Sequence, residues 1–387
     1  MHPEKQISRF NLAITTARPL ILIMNVIAIM GISGCTSLSR PHSELPSVTF
    51  KFAVTDDSRA PNIRSIAKNG VSTVVMETIV KDIAAQKVDF VLFPGDMVSG
   101  ETDSITLGSE LETWNETVKP LIQSGILVYV TRGNHEYFSS KPSYTVAVDP
   151  GDPNKETYLA HFKMPVNGPA GEVGLTYSFT WKNAKIIAFD QYVGRKANYS
   201  NLQYSQGSNS GQAMNSWVLK EINESTAGVN FVMAHEMMWP SFHSDCLAND
   251  PDSRDALVHA LGVHNGVYFS GHDHLYARGI MTNADGDKVP VFTMGTAGAG
   301  NYKYQEFDVV KAGYTGLDKY YIQKPIYNET DPVFGYLLVT VYSDNSWHAE
   351  FRAFQFNHWN DPSDISLTPM TVLDSCSSTD CSSTDSH

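Results

Sequence analysis

The sequence predicts an α/β fold of parallel strands joined by crossover helices. Two observations predict it. From Ser47 to Glu136, apolar strand-like runs alternate with segments of helical spacing in the order β-α-β-α-β, an order that makes strands parallel and lays helices on their faces. Further on, three more apolar runs each end in a polar cluster. In open α/β sheets, ligands bind at that C-terminal edge of the strands.

The elements follow in order. "SVTFKFAVT" (Ser47–Thr55) is a strand ending in polar residues. "RSIAKNGVSTVVMETIVKDIAAQ" carries Ile66, Val74, Val75, Ile79 and Ile83 near helical spacing. "VDFVLFPGD" is a buried-type strand. "LGSELETWNETVKPLIQSG" is a helix with Leu111, Trp114, Val118 and Leu121 on one face, and "ILVYVTRGNHE" is a further strand. From Phe138 to Gly174 the pattern lapses into Pro-, Gly- and Asp-rich loop, and loops this long are often functional. "TYSFTW" and "AKIIAFDQ" form a hairpin. Gly194–Gly211 is a second polar insertion, and "QAMNSWVLKEINES" is a helix. "VNFVMAHE", "GVYFSGHDH" and "VPVFTMGTAGAG" are the three strand-then-loop units. "FGYLLVTVYSDNSWHAEFRAFQF" is a hairpin turning at Ser343–Asn345. No domain linker interrupts residues 48–357, so one domain is expected there. The polar repeat "CSSTDCSSTD" makes residues 358–387 an expected disordered tail.

The N-terminus reads as a targeting segment. Lys5, Arg9 and Arg18 precede the apolar run Leu20–Ile32, which is short for a membrane span. Ile32-Ser33-Gly34-Cys35 resembles a bacterial lipobox. The expectation is a lipoprotein signal peptide over 1–35, a tether over 36–47 and a lipidated Cys35. The mature protein would sit in the periplasm or at the cell surface. Thr36 is not the aspartate of an inner-membrane retention signal, which points to the outer membrane. The net charge of −13 argues against general nucleic-acid binding, so no stable nucleic-acid complex is expected. Besides Cys35, the cysteines are Cys246, Cys376 and Cys381, without CxxC metal spacing. Cys376 and Cys381 could pair, or one could reach Cys246.

Five strand ends carry metal-type side chains. They are "VTDDSR" (Asp56, Asp57, Arg59), "FPGDMVSG" (Asp96), "TRGNHEY" (Asn134, His135, Glu136), "VMAHEMM" (His235, Glu236) and "SGHDH" (His272, His274). A lone Asp after a strand is usually a cap or turn former, and a lone buried His usually a hydrogen-bonded core residue. Packing does not call for five such ends. Residues two apart in extended chain point the same way, so His272 and His274 aim at one spot. Oxygen and imidazole together suit zinc, iron or manganese better than calcium. A serine triad finds no nucleophile elbow, since the serines of "GSNSG" flank Asn209.

In their order, Gly95-Asp96, "GNHE" at Gly133–Glu136, the isolated His235 and "GHDH" at Gly271–His274 resemble the calcineurin-like metallophosphoesterases. "GHDHLYAR", "FKMPVNGPAGEVGLTYSF" and "GTAGAG" look similar to the purple acid phosphatase branch. The resemblance implies a sandwich of two mixed sheets flanked by helices, with the active site at strand C-terminal ends. It implies two transition-metal ions (zinc, iron or manganese) bridged by Asp96. Asn134, His235 and His272 would complete one site, and Asp57 and His274 would belong to the other. His135 would serve as general acid over the leaving group, and Glu136 would orient His135 or nearby backbone. A hydroxide shared by the ions would attack phosphorus in line.

The chain departs from that pattern at the first motif, D-x-H, where Arg59 stands in place of the histidine. Arg cannot ligate; it can pair with a phosphate oxygen or simply pack its stem. Asp56 and Asp57 both remain candidates for the first aspartate. Ser99 stands where purple acid phosphatases carry a tyrosine ligand. The expected substrate is a phosphorylated small molecule, a nucleotide or a phospholipid head group. Tyr144, Tyr158, Tyr199 and Tyr204 are candidates to stack on a base. The competing reading is a non-catalytic binding or structural lipoprotein on a degenerate scaffold of this kind.

Overall fold

The computed structural model of the chain describes residues 45–60, 66–139, 152–193, 209–238, 242–243, 246–247, 250–300, 332–359, 361 and 363–381, and the side chains of 209–215 and 251 are not among them. The leader reading, Cys35 included, lies outside the described residues. So do Tyr144, Tyr199 and Tyr204, residues 140–151 of the first long loop and most of the second polar insertion.

The described elements run as follows. Strand β1 (Val48–Val54), helix α1 (Thr73–Gln86), strand β2 (Phe90–Phe93), helix α2 (Ser104–Gln123), strand β3 (Leu127–Val130) and the short helix α3 (Asn134–Tyr137) come first. Next are α4 (Lys155–His161), β4 (Tyr177–Trp181), β5 (Ala184–Ala188), α5 (Asn209–Asn223), β6 (Val229–Met233), α6 (Pro251–Val263) and β7 (Gly266–Ser270). The chain then forms β8 (Tyr276–Thr282), β9 (Lys288–Met294), β10 (Val333–Tyr342), β11 (Trp347–Gln355) and β12 (Thr371–Ser377).

Two six-stranded mixed sheets result, ordered β12-β11-β10-β1-β2-β3 and β4-β5-β6-β7-β9-β8. β1, β2 and β3 are parallel, as are β5, β6, β7 and β9. Strand alternation explains the layers. Phe50, Phe52 and Val54 of β1 and Phe90 and Leu92 of β2 face the same core as Phe231 and Met233 of β6 and Phe269 of β7. Phe52 and Phe231 meet edge-on across it at 4.9 Å. The opposite faces pack helices: Ala53, Val91 and Phe93 lie with α1 and α2, and Val232 and Tyr268 with α5 and α6.

Several boundaries differ from the sequence reading. α1 begins only at Thr73, because Asn69 and Gly70 take left-handed backbone (φ 44° and 78°) and Ile66 precedes that break. The long loop from Phe138 contains α4, and Tyr158 is fully buried there, 4.8 Å from the Phe162 ring. A side chain packed in the core cannot stack on a substrate base. α6 and β8 were not in the reading; β8 pairs with β9 as a hairpin through the turn at Asn283–Asp287.

The expected disordered tail is also corrected. β12 pairs antiparallel with β11 over Thr371–Ser377, and a Cys376–Cys381 disulfide closes its end. Polar composition misleads here because an edge strand needs few apolar residues. Cys376 and Cys381 are buried in the inter-sheet core, and Asp374 is buried against the Arg278 guanidinium (2.6 Å) and the Tyr276 hydroxyl (2.6 Å). Cys246 lies buried elsewhere, beside Met237. Among the described residues no helix is long and apolar enough to cross a membrane.

Candidate metal centre

The parallel strands deliver their C-terminal ends to one place. Asp56 and Asp57 follow β1, Asp96 follows β2, Asn134 and His135 follow β3, His235 follows β6, and His272 and His274 follow β7. All are buried except His135, whose side chain is 12 % exposed. Three of them, Asp57, Asp96 and His272, hold left-handed backbone (φ 62°, 46° and 66°). That region is sparsely used outside glycine, though Asp and His tolerate it better than most. It turns the chain sharply at each strand end. The motif glycines make room for the carboxylates. A Cβ on Gly133 would lie 2.0 Å from Asp96 Oδ1, and one on Gly271 would lie 1.7 Å from Asp56 Oδ2.

Asp96 stands at the centre. It groups with His235 and His272 on one side and with Asp57 and His274 on the other, with each group's ligand-type atoms within 4.8 Å of one another. His235 Nε2 is 3.3 Å from Asp96 Oδ1, and His274 Nε2 is 3.4 Å from Asp57 Oδ1. Burial alone would raise the Asp96 carboxyl; His135 and His235, with Arg59, outweigh it and hold the group well below the usual range. Burial pulls His135 down to about 4, against the upward pull of Asp96.

Asp56 and Asp57 have different partners. Asp57 Oδ2 accepts the His272 backbone amide (2.8 Å) and its Oδ1 faces His274. Asp56 Oδ2 meets His235 Nδ1 at 3.2 Å, the outer-carboxylate arrangement that fixes a ligand histidine's ring. Burial and then the Asp57 charge push the Asp56 carboxyl well above its ordinary range.

The surrounding loops hold the donors still. His274 Nδ1 meets the Gly300 carbonyl at 2.8 Å, which ties the glycine-rich segment to the site. His135 Nδ1 contacts the Ser99 carbonyl, leaving Nε2 toward Asp96 Oδ2 at 3.7 Å. The Ser99 hydroxyl turns away and donates to the Gly70 carbonyl. Arg59 lies at the centre rather than on the surface: its Nε is 3.4 Å from His274 Nε2 and 3.9 Å from Asp96 Oδ2.

Three functional-looking residues escaped the sequence reading. Asp273, between the two histidines of "GHDH", accepts the backbone amides of Phe242 (2.8 Å) and His243 (2.9 Å). It also meets His243 Nδ1 at 2.9 Å, and the His243 ring stacks on His272 at 4.2 Å. The third is Arg132, fully buried before Gly133, with Nε on Asp190 (2.6 Å) and Nη1 on Asp152 (2.7 Å). Asp273 had no local signal, because the left-handed turn at His272 breaks strand alternation there. His243 had none: it sits in aperiodic loop.

The donor set fits metal. Asn134 Oδ1 and Asp56 Oδ1 are buried acceptors with no hydrogen-bond partner, a costly arrangement that a nearby cation relieves. Carboxylate, amide oxygen and imidazole together match borderline transition metals.

Comparison with known proteins agrees with this geometry. The family model for calcineurin-like phosphoesterases matches residues 73–276, just over half of the chain and starting beyond Arg59. No curated protein matches the chain in sequence. Among solved structures, it is similar to purple acid phosphatase PPD1 from yellow lupin (Lupinus luteus) seeds, with a TM-score of 0.56 and 15% identity over 86% of this chain and 54% of that one. It is also similar to PhoD, with a TM-score of 0.58 and 13% identity over 86% of this chain and 70% of that one. The chain thus spans about half the length of the lupin protein, and at these identities both likenesses concern the fold. Two mixed sheets, motif-bearing strand ends gathered on one aspartate and the family match over residues 73–276 lead to one conclusion: this chain belongs to the calcineurin-like phosphoesterases.

Proposed function

We propose that the chain hydrolyses phosphate mono- or diesters with metal ions held at the Asp96 cluster. The observation that carries this is the sharing of Asp96 between two ligand groups. Asp96, Asn134, His235 and His272 would hold one ion; Asp57, Asp96 and His274 would hold a second. Zinc, iron and manganese suit these donors. Such ions supply Lewis acidity and activate the attacking water.

The chain's own residues do the rest. Asp56 and the Gly300 carbonyl fix the rings of His235 and His274. His135, anchored through Nδ1, presents Nε2 to the leaving oxygen and gives it a proton from the imidazolium form, which the neighbouring Asp96 charge favours against burial. Arg59 pairs with a phosphate oxygen. Substrates are phosphorylated small molecules, nucleotides or phospholipid head groups. We place the protein in the periplasm or at the cell surface, anchored to the outer membrane through lipidated Cys35. The lipobox-like sequence and the Cys376–Cys381 disulfide, which suits an oxidising compartment, support this.

The test is hydrolysis of p-nitrophenyl phosphate and bis(p-nitrophenyl) phosphate by protein reconstituted with zinc, iron or manganese. Activity should vanish with chelator, return with metal and be absent in Asp96→Asn. Turnover of neither ester would favour the binding-protein reading that Arg59 at the first motif suggests, and metal-independent turnover would overturn the metal-dependent mechanism.

A further inference from the structure

We propose that the Arg59 guanidinium occupies the second metal position, so that the resting protein holds one ion tightly and admits a second only weakly. This rests on the phosphoesterase reading above.

The two halves of the cluster differ. On the Asp57–His274 side, His274 has one ring nitrogen, Nδ1, at 2.8 Å from the Gly300 carbonyl. A carbonyl only accepts, so Nδ1 carries the proton and the Nε2 lone pair is what His274 can offer an ion. Arg59 Nε–H donates to that lone pair at 3.4 Å. The same Nε2 faces Asp57 Oδ1 at 3.4 Å, and Arg59 Nε lies 3.9 Å from Asp96 Oδ2. The guanidinium therefore sits against two of this side's three donors, His274 and Asp96. A guanidinium is a cation, so an ion entering here must displace it or bear its repulsion. It cannot be joined by the missing motif histidine, because Arg59 itself stands in that place.

The Asn134–His235–His272 side is arranged otherwise. Asn134 Oδ1 is buried with no hydrogen bond, and His235 Nε2 faces Asp96 Oδ1 at 3.3 Å. The loop that carries Arg59 is firmly held. The Trp114 indole donates to the Ser58 hydroxyl (3.0 Å), which donates to the Met97 carbonyl (2.7 Å). The arginine's place is thus set by the backbone next to Asp57, while its side chain, 25% exposed, can still be moved by a competitor.

The experiment counts zinc ions per chain by elemental analysis after gel filtration, and follows zinc binding by calorimetry. It uses the mature full-length protein, Arg59→Ala and Arg59→Gln. The wild type should retain one ion. Both variants, which remove the charge without adding a ligand, should retain two, with the second bound about tenfold or more tightly than in wild type. Two ions of similar affinity in wild type would overturn the inference and leave the phosphoesterase reading intact. So would one ion in all three proteins, since the limit would then be the absent histidine. Arg59→His separates these cases: if it alone reaches two, the guanidinium is not the obstacle. No ion in any of them would overturn both readings.

Discussion

The Glu136 carboxylate accepts the backbone amide of Asp96 at 2.9 Å, so the loop after β3 holds in place the residue that both ligand groups share. The same carboxylate accepts the amides of Gly133 (2.8 Å) and Val98 (3.3 Å). One fully buried side chain thereby fixes two motif loops. Burial, then the Asp96 charge, push its pKa up to about 8, while the Gly133 and Val98 amides pull it down.

Replacing Glu136 by Gln turns one accepting oxygen into an N–H donor that faces backbone N–H groups. Leaving a buried amide unsatisfied should cost about 1–3 kcal/mol in urea unfolding. Because the displaced loop carries Asp96, zinc affinity should fall about 10–100-fold, as for other residues behind metal ligands. A variant that loses stability but keeps its zinc affinity would confine Glu136 to a structural role.

His135 yields a sharper kinetic prediction. Its ring is anchored on the Ser99 carbonyl and is 12% exposed at the site, with Nε2 directed past Asp96. His135→Ala should slow esters with poor leaving groups by about 10²–10⁴-fold, the usual contribution of general acid catalysis. Nitrophenyl esters, which need little protonation, should lose far less. Equal losses on alkyl and nitrophenyl esters would remove the general-acid role.

The site was more legible than its supports. Asp57, Asp96, Asn134, His135, His235, His272 and His274 follow apolar strands, and parallel strands must bring such ends together. The resemblance then ordered them. What stayed hidden depends on contacts far apart in sequence. Asp56 and His235 are 179 residues apart, and no local pattern distinguishes an aspartate that orients a histidine from one that ligates. Arg59 showed as a departure from a motif, but only the fold puts its Nε beside His274. For β12 the composition itself misled, because its buried groups are an ion pair and a disulfide rather than an apolar run.

That strand gives a stability prediction. The disulfide closes a short loop, with a sequence separation of 5. The Arg278 guanidinium donates to the Cys381 carbonyl (2.7 Å) and to Asp374 (2.6 Å), just ahead of that loop. Replacing both cysteines by serine should cost about 2 kcal/mol by loop-closure entropy. Asp374→Ala should cost more, about 3–5 kcal/mol, because it strands the buried Arg278 charge. Urea unfolding measures both. An Asp374→Ala cost below that of the cysteine double variant would mean that the ion pair does not secure the strand.

Glu172 sets a pH dependence away from the centre. It is buried, accepts the Thr176 hydroxyl at 2.7 Å and is raised from 4.5 to about 7, first by burial and then, against that hydroxyl, by the Asp190 charge. The folded state therefore binds this proton more tightly than the unfolded chain does. Between pH 4.5 and 7 the native protein carries more of it, so stability contributed by this group falls as pH rises through that window and levels off above it. Glu172→Gln keeps an oxygen for Thr176 and cannot ionise. The variant should match wild type near pH 4.5 and gain on it steadily toward neutrality. The gain at pH 8 should be on the order of 1 kcal/mol, about 2 °C in Tm for a domain of this size. Thermal unfolding of both proteins at pH 5 and pH 8 measures the difference. A constant offset at the two pH values would show that Glu172 does not titrate between them.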